Sequence, residues 1–234
     1  MYSMGGLAQY AVVPVTDVFR LPDSLPLEDA CILGCAVMTA YGAVCHQAEI
    51  KPGESVAVGW VGGIGSNVIQ FAQLFGAGEI IAVDVRDEKL AAARALGATR
   101  TINATHGDPA TLVRELTSNR GVDCAFEALG RPETALQAFS MARDGGRAVL
   151  IGVANGPAAV QIPITQLVRR GIRLIGSYGG RVRTDIPQLI RLLETGRLDI
   201  SRTISRRFQL SKVNDAFRAL ENGEIVGRAI IVMN

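Results

Sequence analysis

The apolar and polar positions change period several times along this chain, and each change marks an element. Ser55 to Gly59 carries apolar residues at consecutive positions after the turn pair Pro52-Gly53, as a parallel strand buried on both faces requires. From Gly63 to Phe75 the residues Ile64, Val68, Phe71, Ala72 and Phe75 recur at helical spacing, and Gly76-Ala77-Gly78 ends that helix. Glu79 to Asp84 returns to strand and Asp87 to Leu96 to helix, with Asp87 as candidate cap and Gly97 as stop. Thr101-Ile102 predicts a short third strand, Asp108 to about Thr117 a helix, and Val122 to Glu127 a strand. Pro132 to Ala142 then predicts a helix with proline near its start, and Gly146 to Ile151 and Ile172 to Ile175 two more strands. Strands alternating with helices at this spacing predict an α/β fold with a doubly wound parallel sheet, because each parallel connection needs a crossover helix.

Two flanks have a different pattern. The first 36 residues run from a glycine pair through the alternating stretch Ala8 to Val13, then through Leu21-Pro22-Asp23-Ser24-Leu25-Pro26 into a helix. Residues 181–234 predict a helix from Ile186 to Leu193, a basic strand near Arg206 to Gln209, a helix from Ser211 to Leu220 and a final strand Arg228 to Val232. The flanks read as parts of one second domain interrupted by the α/β core.

Composition narrows the function classes. With 48% hydrophobic and 20% charged residues in 234, the chain is an ordinary globular one, and no stretch approaches the consecutive apolar residues of a bilayer helix. The N-terminus carries no secretion pattern, so a cytoplasmic location and no membrane partner are expected. The 24 basic and 22 acidic residues are intermixed, and the pairs Arg169-Arg170 and Arg206-Arg207 are too short for a nucleic-acid stripe. Two histidines leave almost nothing for a Ser-His-Asp or histidine-rich metal site. Four cysteines without a secretion signal do not predict a disulfide framework.

The chemistry concentrates where the first predicted strand breaks into glycines, Val58-Gly59-Trp60-Val61-Gly62-Gly63-Ile64-Gly65, with Asp84 closing the next strand nineteen residues past Gly65. Strand, glycine turn, helix, strand and acidic residue in this order predict dinucleotide binding. The bare backbone lets a pyrophosphate approach, the helix offers free N–H groups and its positive dipole end, and the acid accepts from ribose hydroxyls. Asp84 thereby favours NAD; a strand cap or a pair with Arg86 is the alternative reading. One position departs from the pattern: Trp60 stands where the first glycine belongs, so a left-handed backbone there would be strained unless Gly59 takes that role.

The glycine turn, the Asp84 strand, Val122-Asp123-Cys124-Ala125-Phe126-Glu127-Ala128-Leu129-Gly130, the stretch Gly34-Cys35-Ala36-Val37-Met38-Thr39-Ala40-Tyr41-Gly42 and the terminal Gly227-Arg228 together resemble the zinc-containing alcohol dehydrogenases of the medium-chain dehydrogenase family. The resemblance implies a Rossmann fold at residues 37–180, flanked by remnants of a chaperonin-like catalytic domain at 1–36 and by a segment at 181–234 returning toward that domain. It implies NAD as cofactor, an alcohol or carbonyl substrate, and a homodimer paired through the edge strand Ile172 to Gly176.

By resemblance, Gly59, Gly62, Gly63 and Gly65 belong to the cofactor turn, and Arg228 reaches the pyrophosphate. Lys89 joins Asp84 at the adenosine ribose, the backbone at Ile151, Val153, Ser177 and Tyr178 holds the carboxamide, and Thr39 touches the nicotinamide. Cys35 matches the third zinc ligand of the family. Gly5 to Tyr10 resembles the strand that follows the family's metal-bearing region, so the chain is expected to lack the other ligands and most of the zinc site. A separate cluster of Cys31, Cys35, Cys45 and His46 is a second metal reading. The expected function is an NAD-dependent alcohol dehydrogenase-like oxidoreductase, inactive or weakly active as this chain alone. The alternatives are a non-catalytic NAD(H)-binding module and a zinc-independent quinone or enone reductase.

Overall fold

The computed structural model describes residues 5–233; Asn234 and the first four residues of the N-terminal flank, including Met1, lie outside them. Ahead of the sheet, α1 (Leu27–Ala30) and α2 (Met38–Gly42) are joined and extended by π-wound turns, Leu33–Val37 and Ala43–Ala48, into one helical segment. Then β1 (Ser55–Gly59), β2 (Glu79–Asp84), β3 (Arg100–Asn103), β4 (Val122–Glu127), β5 (Ala142–Leu150) and β6 (Arg173–Gly176) form one sheet in the order β3-β2-β1-β4-β5-β6, every pair parallel. The crossovers carry α3 (Gly63–Leu74), α4 (Asp87–Ala95), α5 (Pro109–Leu116), α6 (Pro132–Met141) and α7 (Ile164–Arg170). This is the doubly wound Rossmann order that the alternation predicted, with the switch point where β1 lies between β2 and β4.

Alternation along β1 divides the core. Val56 and Val58 face a large cluster with Phe71 and Phe126, whereas Ala57 faces a second with Ile81, Val113 and Ala125. Both flanks bury apolar residues in the first of these clusters. After β6 come α8 (Val182–Glu194), β7 (Ile204–Gln209), α9 (Val213–Glu221) and β8 (Arg228–Val232), with β7 and β8 paired in parallel. Val37, Leu189, Ile204 and Ile230 all join Phe71 and Phe126 in one core. The two flanks also touch directly, through the 2.5 Å ion pair of Arg207 with Asp29.

Several expectations are corrected. The helical segment Leu27–Ala48 is long and apolar enough to cross a membrane by length and composition, contrary to the reading that no stretch approaches that. Its Val37, Ala40, Ala43 and Val44 are nevertheless fully buried, so it serves as a core helix. Gly5 to Tyr10, which resembles a strand of the family, forms no strand here, and neither does the alternating stretch that runs on to Val13. Tyr10 and Val12 are 91% and 99% exposed.

Asp87 is the first residue of α4 rather than its cap, and its carboxylate instead accepts from Asn103 Nδ2 at 2.8 Å. Asp108 does cap α5, accepting from the Thr111 N–H at 2.9 Å with Pro109 at the first helical position. α8 begins four residues before Ile186 and tolerates Pro187 in its early turns, while β5 starts at Ala142 instead of Gly146. The helix α7 has no counterpart among the predicted elements.

Candidate functional site

The carboxyl ends of β1, β2, β4, β5 and β6 lie along one edge of the sheet, which brings Gly59, Asp84, Glu127, Leu150 and Gly176 to the same side. The chain leaves β1 through a turn held at both ends: the Trp60 N–H donates to the Val83 carbonyl at 2.7 Å, and the Gly62 N–H to the Trp60 carbonyl at 2.9 Å. Trp60 is left-handed, with φ of 72°. Gly59 remains inside β1, opposite Val83 and Glu127, and does not relieve it. The strain that a tryptophan brings to this position is therefore present.

The remaining glycines have separate reasons. A Cβ on Gly65 would collide with the Trp60 carbonyl, so α3 can start close under the turn only with hydrogen there. A Cβ on Gly63 would run into the Arg228 guanidinium, whereas a Cβ on Gly62 would meet no atom within 4 Å. The backbone at Gly62 thus faces open space at the N-terminus of α3, where the first N–H groups have no intrahelical acceptor and the dipole end is positive. Arg228, delivered by β8, adds its charge to this point, and its buried Nε has no hydrogen-bond partner. An open backbone, free helix amides and an unpartnered guanidinium fit an anionic group such as a pyrophosphate.

Asp84 is 2% exposed and turned beneath the glycine turn. Its Oδ2 accepts from the Val61 N–H at 2.9 Å, and its Oδ1 from the N–H groups of Val85 at 2.8 Å and Arg86 at 3.2 Å. Lys89 Nζ lies 3.8 Å from Oδ2. The carboxylate braces the turn as well as marking the end of β2, and three of its roughly four acceptor positions are filled. The Arg86 side chain pairs with Glu88 at 3.5 Å rather than with Asp84.

On the other half of the edge, Ile151 is buried and its N–H donates to the Glu127 carbonyl at 2.8 Å, while Val153 is exposed. Ser177 is buried, its N–H bonded to the Leu150 carbonyl at 2.8 Å and its Oγ without a partner; Tyr178 is exposed. Thr39 is half-buried on α2. The loop after β6 is wedged onto that helix: a Cβ on Gly42 would strike the Gly179 carbonyl, and one on Gly180 would strike Met38 and Asp185.

Sequence reasoning missed Glu127 as a site residue. Its buried Oε1 accepts from the N–H groups of Leu129 at 2.8 Å and Gly130 at 2.7 Å and from Thr134 Oγ1 at 2.6 Å, which fixes the loop leaving β4. The signal was available, since an acid closing a buried strand needs partners.

Cys35 is exposed beside a cavity of about 310 Å³ that it shares with Cys31 and Arg228. Among the described residues no group of three or more His, Cys, Asp or Glu is placed to hold a metal ion. His46 is committed elsewhere, to Asp185 at 3.0 Å. A catalytic zinc needs three protein ligands and an open position, so the residues present do not fit one.

Residues 63–195 match the family model described as zinc-binding dehydrogenase. An alcohol dehydrogenase of Malus domestica is 33% identical over 93% of this chain and 58% of its own length. An S-(hydroxymethyl)glutathione dehydrogenase of Komagataella pastoris is 32% identical over 97% of this chain and 61% of its own. The solved alcohol dehydrogenase TADH from Thermus sp. ATN1 superposes with a TM-score of 0.86 at 32% identity, covering 92% of this chain and 61% of that one. The chain thus spans about three fifths of the length of these relatives.

Proposed function

The chain belongs to the zinc-binding dehydrogenase family, and on that premise we propose that it is an alcohol dehydrogenase-like oxidoreductase whose residues supply the NAD(H) half of the site. The observation that carries the proposal is the convergence of the open Gly62 backbone, the α3 N-terminus and the unpartnered Arg228 Nε on one point. Gly62, Gly63, Gly65 and Arg228 would hold the pyrophosphate, and Lys89 and the remaining acceptor capacity of Asp84 the adenosine ribose. Ile151, Val153, Ser177 and Tyr178 would hold the carboxamide, where the unpartnered Ser177 Oγ offers a hydrogen bond. Thr39 would touch the nicotinamide. Once bound there, the cofactor supplies the hydride acceptor or donor. No step is assigned to zinc in this chain.

A second reading, a non-catalytic NAD(H)-binding module, is favoured by one observation: Cys35 has no companion ligands among the described residues. A zinc-independent quinone or enone reductase is the third. The same fold reading carries residues 37–180 as the cofactor domain, a cytoplasmic location, and a homodimer joined along β6, an edge strand whose Arg173, Leu174 and Gly176 are exposed.

Titration with NADH followed by assay of alcohols with and without added zinc decides among these. A Kd between about 1 μM and 1 mM, equivalent to roughly −8 to −4 kcal/mol, supports the cofactor reading. Turnover that depends on zinc selects the alcohol dehydrogenase, turnover of quinones without zinc the third reading, and binding alone the module. No detectable binding at millimolar NADH overturns all of them.

A further inference from the structure

His46 and Asp185 lie 139 residues apart in sequence and outside the groups that would touch the cofactor. His46 stands in the π-wound end of the helical segment that also carries Thr39, and its Nε2 lies 3.0 and 3.1 Å from the two oxygens of Asp185. The pair is secluded, with side-chain exposures of 16% and 3%. Tyr41 meets the imidazole edge to face at 5.7 Å.

Asp185 faces the other way as well. Its Oδ2 accepts from the Arg181 N–H at 2.5 Å, and its Oδ1 from Thr184 Oγ1 at 3.2 Å, so one carboxylate fixes the junction of the post-β6 loop with α8. That loop, Ser177 to Gly180, is the one seated on α2 through Gly42 and Gly180. The carboxylate is therefore the only charged link, among the described residues, between the Thr39 helical segment and the start of α8.

We propose that His46 and Asp185 are a positioning pair that holds the Ser177–Gly180 loop against the Thr39 helix, and so sets the width of the slot that receives the nicotinamide end of the cofactor. The inference rests on the cofactor reading above for the ligand, but not for the clasp itself. The pair touches no reacting atom, and its action runs through the loop.

The test uses the full chain as His46→Ala, with His46→Gln as the variant that keeps a donor for Asp185, and Asp185→Asn as an independent break should His46→Ala fail to fold. Without nucleotide, amide exchange at Gly179 to Arg181 is expected to quicken about 10-fold in His46→Ala and to recover in His46→Gln, the size expected for losing a hydrogen bond to a charged group. With nucleotide, NADH is expected to bind about 5- to 10-fold more weakly to His46→Ala while ADP-ribose, which lacks the nicotinamide, binds as before. Unchanged exchange in a folded His46→Ala or Asp185→Asn protein overturns the clasp, and so does failure of His46→Gln to recover. Equal losses for NADH and ADP-ribose overturn its action on the nicotinamide end. If the unaltered chain binds neither ligand, the cofactor reading fails, the slot assignment falls with it, and the exchange measurement still decides the clasp.

Discussion

The two edges of the six-stranded sheet are built to opposite rules. At the amino edge, Asp123 takes the N–H and Oγ of Ser55, Arg120 and Arg143, while Arg147 makes a two-pronged pair with Glu54. Among the described residues, Arg147 Nε is the one buried side-chain polar atom of these groups without a partner. At the carboxyl edge, the backbone is strained at Trp60, and buried donors at Arg228 Nε and Ser177 Oγ have no partner. Buried polar groups cost free energy unless bonded, so the amino edge spends its side chains on holding the strands, and the carboxyl edge leaves donors for something else to complete. Stability and binding are thereby separated across the length of one sheet.

That separation can be broken by substitution. The largest effect is expected at Gly65→Ala, which forces the start of α3 away from the Trp60 carbonyl: NADH affinity should fall about 100-fold, alongside a destabilisation of about 1–3 kcal/mol. Calorimetry and NADH titration check both numbers, and unaltered binding would mean that the turn is not the nucleotide site. Next comes Asp123→Asn, expected to lower stability by about 2 kcal/mol in chemical denaturation while leaving NADH affinity within about 2-fold.

The same residue sets an acid dependence. Burial alone would raise the Asp123 carboxyl, but hydrogen bonds from Arg120, Ser55 and Arg143 outweigh it and hold the group well below the ordinary carboxylate range. A depressed folded value means that its contribution is in full force above the unfolded carboxylate value and is lost as the pH falls below it toward the folded one. Denaturation midpoints measured from pH 7 to pH 2 should show that loss in the native chain and much less of it in Asp123→Asn.

Arg228→Gln should produce the mirror image, with NADH about 10-fold weaker and little change in melting temperature. The smallest effect is expected at Trp60→Gly. Relief of a left-handed tryptophan should raise stability by about 1 kcal/mol and leave nucleotide affinity equal or better. A loss of affinity there would show that the indole itself contributes to the carboxyl edge.

The sequence discloses the first edge of this comparison poorly and the second well. The β1–α3–β2 unit is legible to within a residue because its strands are apolar between their ends, its helix carries its apolar residues at helical spacing, and glycines follow β1 and α3. The elements missed or misplaced share a reason: their apolar residues do not report burial. In α7, Ile164 and Val168 are exposed and no residue is buried, so no face could be read. Gly5 to Tyr10, read by resemblance as a strand, forms none, and Tyr10 is exposed.

In the candidate site, the glycines could be read from the local pattern, but the partners of Asp84 are backbone N–H groups, which no side-chain identity announces. Arg228 lies far along the chain from Gly63, and only the fold brings them together. The His46–Asp185 pair is likewise a product of topology.

The placement of Arg228 on β8 also governs the order in which the molecule can be completed. β8 comes last among the described elements, its Ile230 fills the cluster shared with Phe71 and Val37, and its partner β7 is tied to Asp29 in the N-terminal flank. Contacts of such long sequence separation must wait for the chain that closes them, and loop closure makes them slow. During synthesis the six-stranded sheet can assemble as its strands emerge, but the cation over the glycine turn follows only with β8, well after β6. A nascent chain that has reached β6 but not β8 would therefore hold a nearly finished sheet with its glycine turn still lacking Arg228, and that point would be completed only once β8 docks.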